Sequence, residues 1–224
     1  AGGTAVSNTN GSITSSVSAN AAYGFSIVTY TGNGTAPSTV GHGLGAAPSL
    51  IIFKRRDTTS NWITYSSDIG ATKYLALNNT GGTTTDSGPF NNTAATSTVF
   101  TVNTFSDINA SGGTYVAYCF ANVPGYQRVG SFVDTSDSQT LVLGFRPRFF
   151  MVKRTDSTGD WFIFDALRDN FDDPLRANTT AADGNAYALT PTATGISWTG
   201  TSFANGDYIY LAIADDEIGA DEDV

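Results

Sequence analysis

The chain has one cysteine, one histidine, one methionine and two glutamates among 224 residues, and only 14% of its residues are charged. Each scarcity removes a class of chemistry. The single Cys119 excludes an intrachain disulfide and a thiolate metal site. It lies in the apolar run Tyr115-Val116-Ala117-Tyr118-Cys119-Phe120-Ala121, which predicts a buried, inert thiol rather than a nucleophile. The single His42 excludes histidine-cluster metal sites and two-histidine mechanisms, and any Ser-His-Asp triad would have to use it. It sits between Gly41 and Gly43, and no Gly-x-Ser-x-Gly elbow occurs, so a turn or capping role is expected. A glycosidase needs two carboxylates across a cleft, one of them often a glutamate. Both glutamates, Glu217 and Glu222, lie in the acidic last ten residues beside Asp215, Asp216, Asp221 and Asp223.

Positive charge is scarce too. A net charge of -9 and a pI near 4.3 argue against nucleic acid as a partner, because phosphate contacts need clustered Lys and Arg. No apolar run approaches the ~18 residues of a membrane-spanning helix, and no basic-then-apolar leader is present, so membrane insertion is not expected. With few charges, the surface must be built from Thr, Ser, Asn and Gly. The chain opens on Ala1, and its only methionine is Met151, which suggests a processed product or a segment of a longer protein.

What the sequence does contain is one pattern written twice. Pro48-Ser49-Leu50-Ile51-Ile52-Phe53-Lys54-Arg55-Arg56-Asp57, a polar turn, and Trp62-Ile63-Thr64-Tyr65 align without a gap, at an offset of 99, with Pro147-Arg148-Phe149-Phe150-Met151-Val152-Lys153-Arg154-Thr155-Asp156, a turn, and Trp161-Phe162-Ile163-Phe164. Proline, apolar run, Lys-Arg pair, Asp-bearing turn and Trp-led apolar run together describe a β-hairpin. Other matches keep their order: Leu44-Gly45-Ala46-Ala47-Pro48 with Leu143-Gly144-Phe145-Arg146-Pro147, and Gly113-Thr114-Tyr115-Val116-Ala117 with Gly206-Asp207-Tyr208-Ile209-Tyr210. A unit of about one hundred residues is of domain size rather than solenoid size.

No long stretch holds apolar residues at helical spacing, whereas short aromatic and β-branched runs alternate with Gly, Pro and Asn turns. The expected fold is all-β: two internally duplicated antiparallel β-sandwich, jelly-roll-like units in tandem, or else one larger pseudo-symmetric sandwich. The expected organisation is a flexible N-terminal arm or linker over 1–22, a first sandwich over 23–122, a second over 126–214 and an acidic tail over 215–224. The stretch 78–98 reads as loop.

No catalytic, cofactor or metal residue emerges. The aspartates of the hairpin turns sit where turns use aspartate to bond their own backbone, and Asp169, Asp172 and Asp173 lack calcium-loop spacing. The candidate contacts for a glycan or protein partner are Trp62 and Trp161, the turn acids Asp57 and Asp156, and Asp172 and Asp173. Against the tryptophans, residues recurring in both copies are most simply core residues of the shared fold. That directs attention to the parts the copies do not share: 78–98, 168–174, the arm and the tail.

The succession GFSIVTYTGNGT, VGHGLGAAP, LIIFKRRDTTSNWITY, GATKYLALNNT, NASGGTYVAYCFA, GFRP, MVKRTDSTGDW and LRANTT resembles a recurrent domain of unknown function in virion structural proteins of tailed bacteriophages, especially those of marine bacteria. The resemblance runs from Gly24 to Ala214, and the acidic end departs from it. It implies a non-enzymatic part of a virion, a tail fibre, spike or head-decoration module that presents loops for assembly or host-surface contact. The implied partners are other virion proteins, further copies of itself in a symmetric oligomer such as a trimer, and a host surface glycan. A carbohydrate-binding, lectin-like module is the alternative.

Overall fold

In the computed structural model, which describes residues 3–135, 137–182, 187–200 and 202–215, the chain is all-β. It divides into two compact units, Ala1–Asn78 with Thr83–Asn122, and Asn79–Gly82 with Val123–Val224. Each has its own hydrophobic core, which is the tandem arrangement rather than one larger sandwich.

The first unit contains β1 (Val6–Asn8), β2 (Ser15–Asn20), β3 (Phe25–Thr31), β4 (Ser38–Gly41), β5 (Leu50–Arg55), β6 (Trp62–Ser66), β7 (Lys73–Ala76), β8 (Thr84–Thr85), β9 (Val99–Val102), α1 (Ser106–Asn109) and β10 (Thr114–Phe120). Eight strands form one sheet in the order β1-β2-β3-β10-β5-β6-β7-β8, and β4-β9 form a second. Strict alternation sets the inner face: Val28 and Tyr30 of β3, and Tyr115, Ala117 and Cys119 of β10, are buried while their neighbours are not. Val40, Phe100 and Val102 close the core from the smaller sheet. The Tyr30 ring stacks on Tyr115 at 5.2 Å between centroids, and Phe53 meets Phe100 edge-on at 5.2 Å. The Tyr30 hydroxyl donates to the Ile108 carbonyl at 2.7 Å, so the polar end of this core residue is satisfied.

The N-terminal segment departs from the flexible arm expected over 1–22. Over its described residues, β1 pairs with β2 and β2 pairs with β3, all antiparallel. Too few apolar residues occur here to build a core alone, but an existing sheet edge needs only a few. Ile13 and Val17 are buried in the first core, the Ser15 hydroxyl donates to the Gly41 carbonyl at 2.8 Å, and ladder bonds satisfy the backbone. Gly11 is required by close approach, since a Cβ there would run into the Thr39 carbonyl.

The second unit contains β11 (Gln127–Asp134), β12 (Gln139–Val142), β13 (Pro147–Arg154), β14 (Trp161–Asp165), α2 (Ala166–Asp169), β15 (Leu175–Arg176), β16 (Thr190–Thr192), β17 (Gly195–Trp198) and β18 (Gly206–Ala214). Its larger sheet runs β11-β18-β13-β14-β15, the order that β3-β10-β5-β6-β7 follow in the first unit. A three-stranded sheet, β12-β17-β16, supplies the opposite wall. Phe150, Val152, Phe164, Tyr210 and Ala212 from one sheet share a core with Ile196 and Trp198 from the other. The Trp198 indole N–H donates to the buried Asp134 carboxylate at 3.0 Å. Of the acidic tail expected over 215–224, residues 216–224 lie outside the described residues.

Candidate functional site

The doubled hairpin is built the same way in each unit. Lys54 Nζ donates to the Ser60 carbonyl at 2.6 Å, and Lys153 Nζ to the Gly159 carbonyl at 2.6 Å. Arg55 Nη2 lies 2.9 Å from Asp57 Oδ2, and Arg154 Nε lies 2.7 Å from Asp156 Oδ1. The Trp62 backbone N–H donates to Asn78 Oδ1 at 2.9 Å, and that of Trp161 to Asn178 Oδ1 at 2.7 Å. The basic residues thus brace the turn that follows them. The arginine partner holds the Asp57 carboxyl well below the usual carboxylate range, aided by the Thr114 backbone N–H at 3.0 Å. Asp156 is lowered first by Arg154 in the same way.

The two tryptophans part company. Trp62 is half-buried with Lys54 Nζ 5.6 Å from its ring centroid, whereas Trp161 is 1% exposed. Trp161 therefore cannot present a stacking face to a glycan, which corrects its candidacy as a contact. Both tryptophans lie on the sheet face turned away from the core, Trp161 paired with Lys153 and Trp62 with Lys54, but Lys153 is completely buried and Lys54 only half-buried. Asp172 is exposed and Asp173 half-buried in the loop after α2. That turn is tied by Asp169, whose carboxylate accepts from the backbone N–H groups of Phe171 and Asp173 at 3.1 and 3.3 Å. Among the described residues no three His, Cys, Asp or Glu side chains are placed to share a metal ion.

His42 is fully buried. Leu44 N–H donates to its Nδ1 at 3.3 Å, so Nε2 carries the proton and donates to the Thr96 carbonyl at 3.1 Å. Burial lowers its pKa and holds it neutral. It is a clasp between two loops. Cys119 is buried and its thiol is pushed up to about 12 by desolvation, the opposite of an activated nucleophile.

Lys153 is the least expected residue of the second unit. It is completely buried, and its ammonium donates to the carbonyls of Gly159 and, at 3.0 Å, Thr80. Desolvation brings its pKa down to about 8, opposed by the charge of Asp160. Its counterpart Lys54 is half-buried.

Beside this hairpin the second unit holds a cleft of about 260 Å³, lined among others by Arg154, Asp160, Phe162, Tyr187, Phe203 and Tyr208. Four aromatic rings form its wall, with Phe162 and Tyr187 4.7 Å apart, Tyr187 and Phe203 5.9 Å apart, and Phe203 and Tyr208 5.4 Å apart. Arg176 lies over Phe162 at 5.6 Å and 3.1 Å from Asp160. Asn178 Nδ2 donates to the other Asp160 oxygen at 2.8 Å. The Tyr208 hydroxyl donates to the Ala204 carbonyl at 2.8 Å, and burial pushes it up to about 12. A shallower groove of about 400 Å³ in the first unit is lined by Ser and Thr hydroxyls with Arg56 and Tyr30.

Sequence reasoning missed the cleft, although part of the signal was there. At the offset of 99, Phe162 stands opposite Ile63 and Asp160 opposite Asn61, so the second hairpin has a ring and a carboxylate where the first has neither. Tyr187 and Phe203 have no such marker.

Two antiparallel sandwiches with braced hairpins, one of them carrying a small aromatic cleft, define an all-β protein of a two-unit type. The chain belongs to the DUF7483 family, a domain of unknown function whose model matches residues 1–217. No curated protein and no solved structure matches it.

Proposed function

We propose that the protein is a non-enzymatic structural component of a bacteriophage virion, a tail-fibre, spike or head-decoration module that presents rigid polar loops at the particle surface. The resemblance in motif order along 24–214 suggests the setting. The observation that carries the mechanical part is how the loops are held. Asn33, Thr35 and Asn109 bond one another across the base of a loop, with Asn33 N–H donating to Asn109 Oδ1 at 2.9 Å and Asn109 Nδ2 donating to the Thr35 carbonyl at 3.1 Å. Thr96 Oγ1 accepts from the backbone of Thr98 and Val99 at 3.3 and 3.1 Å, and Asp86 Oδ1 from Gly88 at 2.8 Å. Side chains that close turns onto their own backbone fix a loop's shape without apolar packing, which suits a surface that must meet a partner repeatedly in one form.

In this reading the partners are other virion proteins and further copies of the chain in a symmetric oligomer, a trimer by analogy with fibres. The test is antibody labelling of purified particles. Gold at one fixed position on head or tail is the expected result, and particles that carry none of the chain refute the proposal. Sedimentation of the purified protein checks the assembly part: a defined oligomer of the 23.4 kDa chain is expected, and a monomer at all concentrations removes it.

A further inference from the structure

We infer that the cleft of the second unit is a binding site for a single neutral sugar ring. A pyranose has an apolar face of C–H groups and a rim of hydroxyls, and it calls for an aromatic surface next to fixed polar atoms. The cleft has both. Phe162 and Tyr187 are half-buried rings at its wall, while Thr158, Gly159, Asp160 and Ser202 add hydroxyl, carbonyl and carboxylate oxygens.

The ion pairs decide the ligand's charge. Arg154 is matched by Asp156 and Arg176 by Asp160, so neither guanidinium is left over for a phosphate or carboxylate. An anionic ligand would have to break a pair. A wholly apolar ligand would strip water from Asp160 and return no hydrogen bond. The size sets the length: about 260 Å³ lies just under the roughly 300–1,000 Å³ of sites for drug-sized ligands, which fits one ring rather than a chain of them.

The first unit shows how the same frame looks without the site. There Asn61 and Arg55, the counterparts of Asp160 and Arg154, are bonded to α1: Asn61 Nδ2 donates to Asp107 Oδ2 at 3.3 Å, and Arg55 Nη1 to the Ser106 carbonyl at 3.3 Å. The second unit thus differs from the first at the cleft itself. Phe162 and Tyr187, not the tryptophans, contact the sugar, and this site is independent of any virion location, so sugar binding without particle labelling, or the reverse, separates the two proposals.

The test is saturation-transfer NMR and isothermal titration of the purified chain with the methyl pyranosides of glucose, galactose, mannose and N-acetylglucosamine, with adenosine and inorganic phosphate as competing probes. At least one glycoside is expected to bind with a Kd on the order of 1 mM. Thr158→Trp, a change at an exposed rim position that fills the cleft, is expected to abolish binding while leaving the unfolding midpoint unchanged. Tyr187→Ala is expected to weaken it about tenfold through loss of one aromatic face, and Trp62→Ala to leave it unchanged. Failure of every glycoside to bind, binding that survives Thr158→Trp in folded protein, or tighter binding of adenosine or phosphate than of any glycoside overturns the inference.

Discussion

A lysine buried on carbonyl oxygens alone makes stability depend on alkali in an unusual direction, and Lys153 allows this to be worked through. Its ammonium is wholly buried and bonded to the Gly159 and Thr80 carbonyls, with a folded pKa near 8 against an ordinary 10.5. The unfolded chain therefore binds the proton more tightly than the folded one, and stability rises with pH between these two values. Below pH 8 the lysine is charged in both states, and its burial costs on the order of 3 kcal/mol, the gap between the two pKa values at 1.36 kcal/mol each. By pH 10 the folded lysine is neutral and about 1 kcal/mol of that cost remains. Lys153→Met keeps the stem and removes the titration. In a Trp62→Phe background the remaining tryptophans, Trp161 and Trp198, both report on the second unit, so urea unfolding followed by fluorescence reads the relevant transition. Between pH 7 and 10 the parent should gain about 2 kcal/mol relative to Lys153→Met, while tyrosines and Cys119 titrate in both proteins and cancel. A difference that stays flat, or one that falls with pH, refutes the reasoning. Titration of the Lys153 side chain by NMR gives the same midpoint independently of any variant.

Three further outcomes are expected. Trp161→Ala should destabilise the second unit by about 3–5 kcal/mol as a buried large-to-small change, whereas the half-buried Trp62→Ala should cost clearly less; equal losses in urea unfolding would contradict the difference in burial. Since burial lowers the folded pKa of His42, its contribution is present above its unfolded pKa of about 6.5 and is lost as pH falls below it. His42→Gln should flatten the stability profile between pH 4 and 7, and an unchanged acid slope would show that His42 is not its source. Trp198→Phe removes the 3.0 Å indole hydrogen bond to the buried Asp134 carboxylate and should cost about 1–3 kcal/mol by thermal unfolding, while a neutral effect would mean that this bond contributes nothing to stability.

Period and punctuation made much of the fold legible. The alternation of buried and less buried residues in β3 and β10 and the Pro-to-Trp hairpins were readable as strands because their patterning is local. The strands of the N-terminal arm are not legible because Ile13 and Val17 are too sparse to signal them, and what orders them is the sheet edge at β3 and the bridge from Ile13 to Val40. The candidate residues were read less well. Recurrence of Trp62 and Trp161 marked a shared frame but not that one is covered and the other half-open. The cleft gathers Phe162, Tyr187 and the pair Phe203 and Tyr208 from three separate segments, and no spacing rule links them. The burial of Lys153 has no local marker either, because the segment Asn79–Gly82, whose Thr80 carbonyl accepts from its ammonium, lies some seventy residues earlier.

The central position of the last strand governs how each unit is made. In the first sheet β10 lies between β3 and β5, and in the second β18 lies between β11 and β13. Neither sheet can zip up from its N-terminus as synthesis proceeds; each waits with two unjoined halves until its final strand arrives and bonds to both. Pairings as distant as Gln127 with Ile213 imply late loop closure and slow folding. A nascent chain stalled before residue 206 would carry a finished first unit followed by strands with no centre to join, a state prone to pairing with its neighbours.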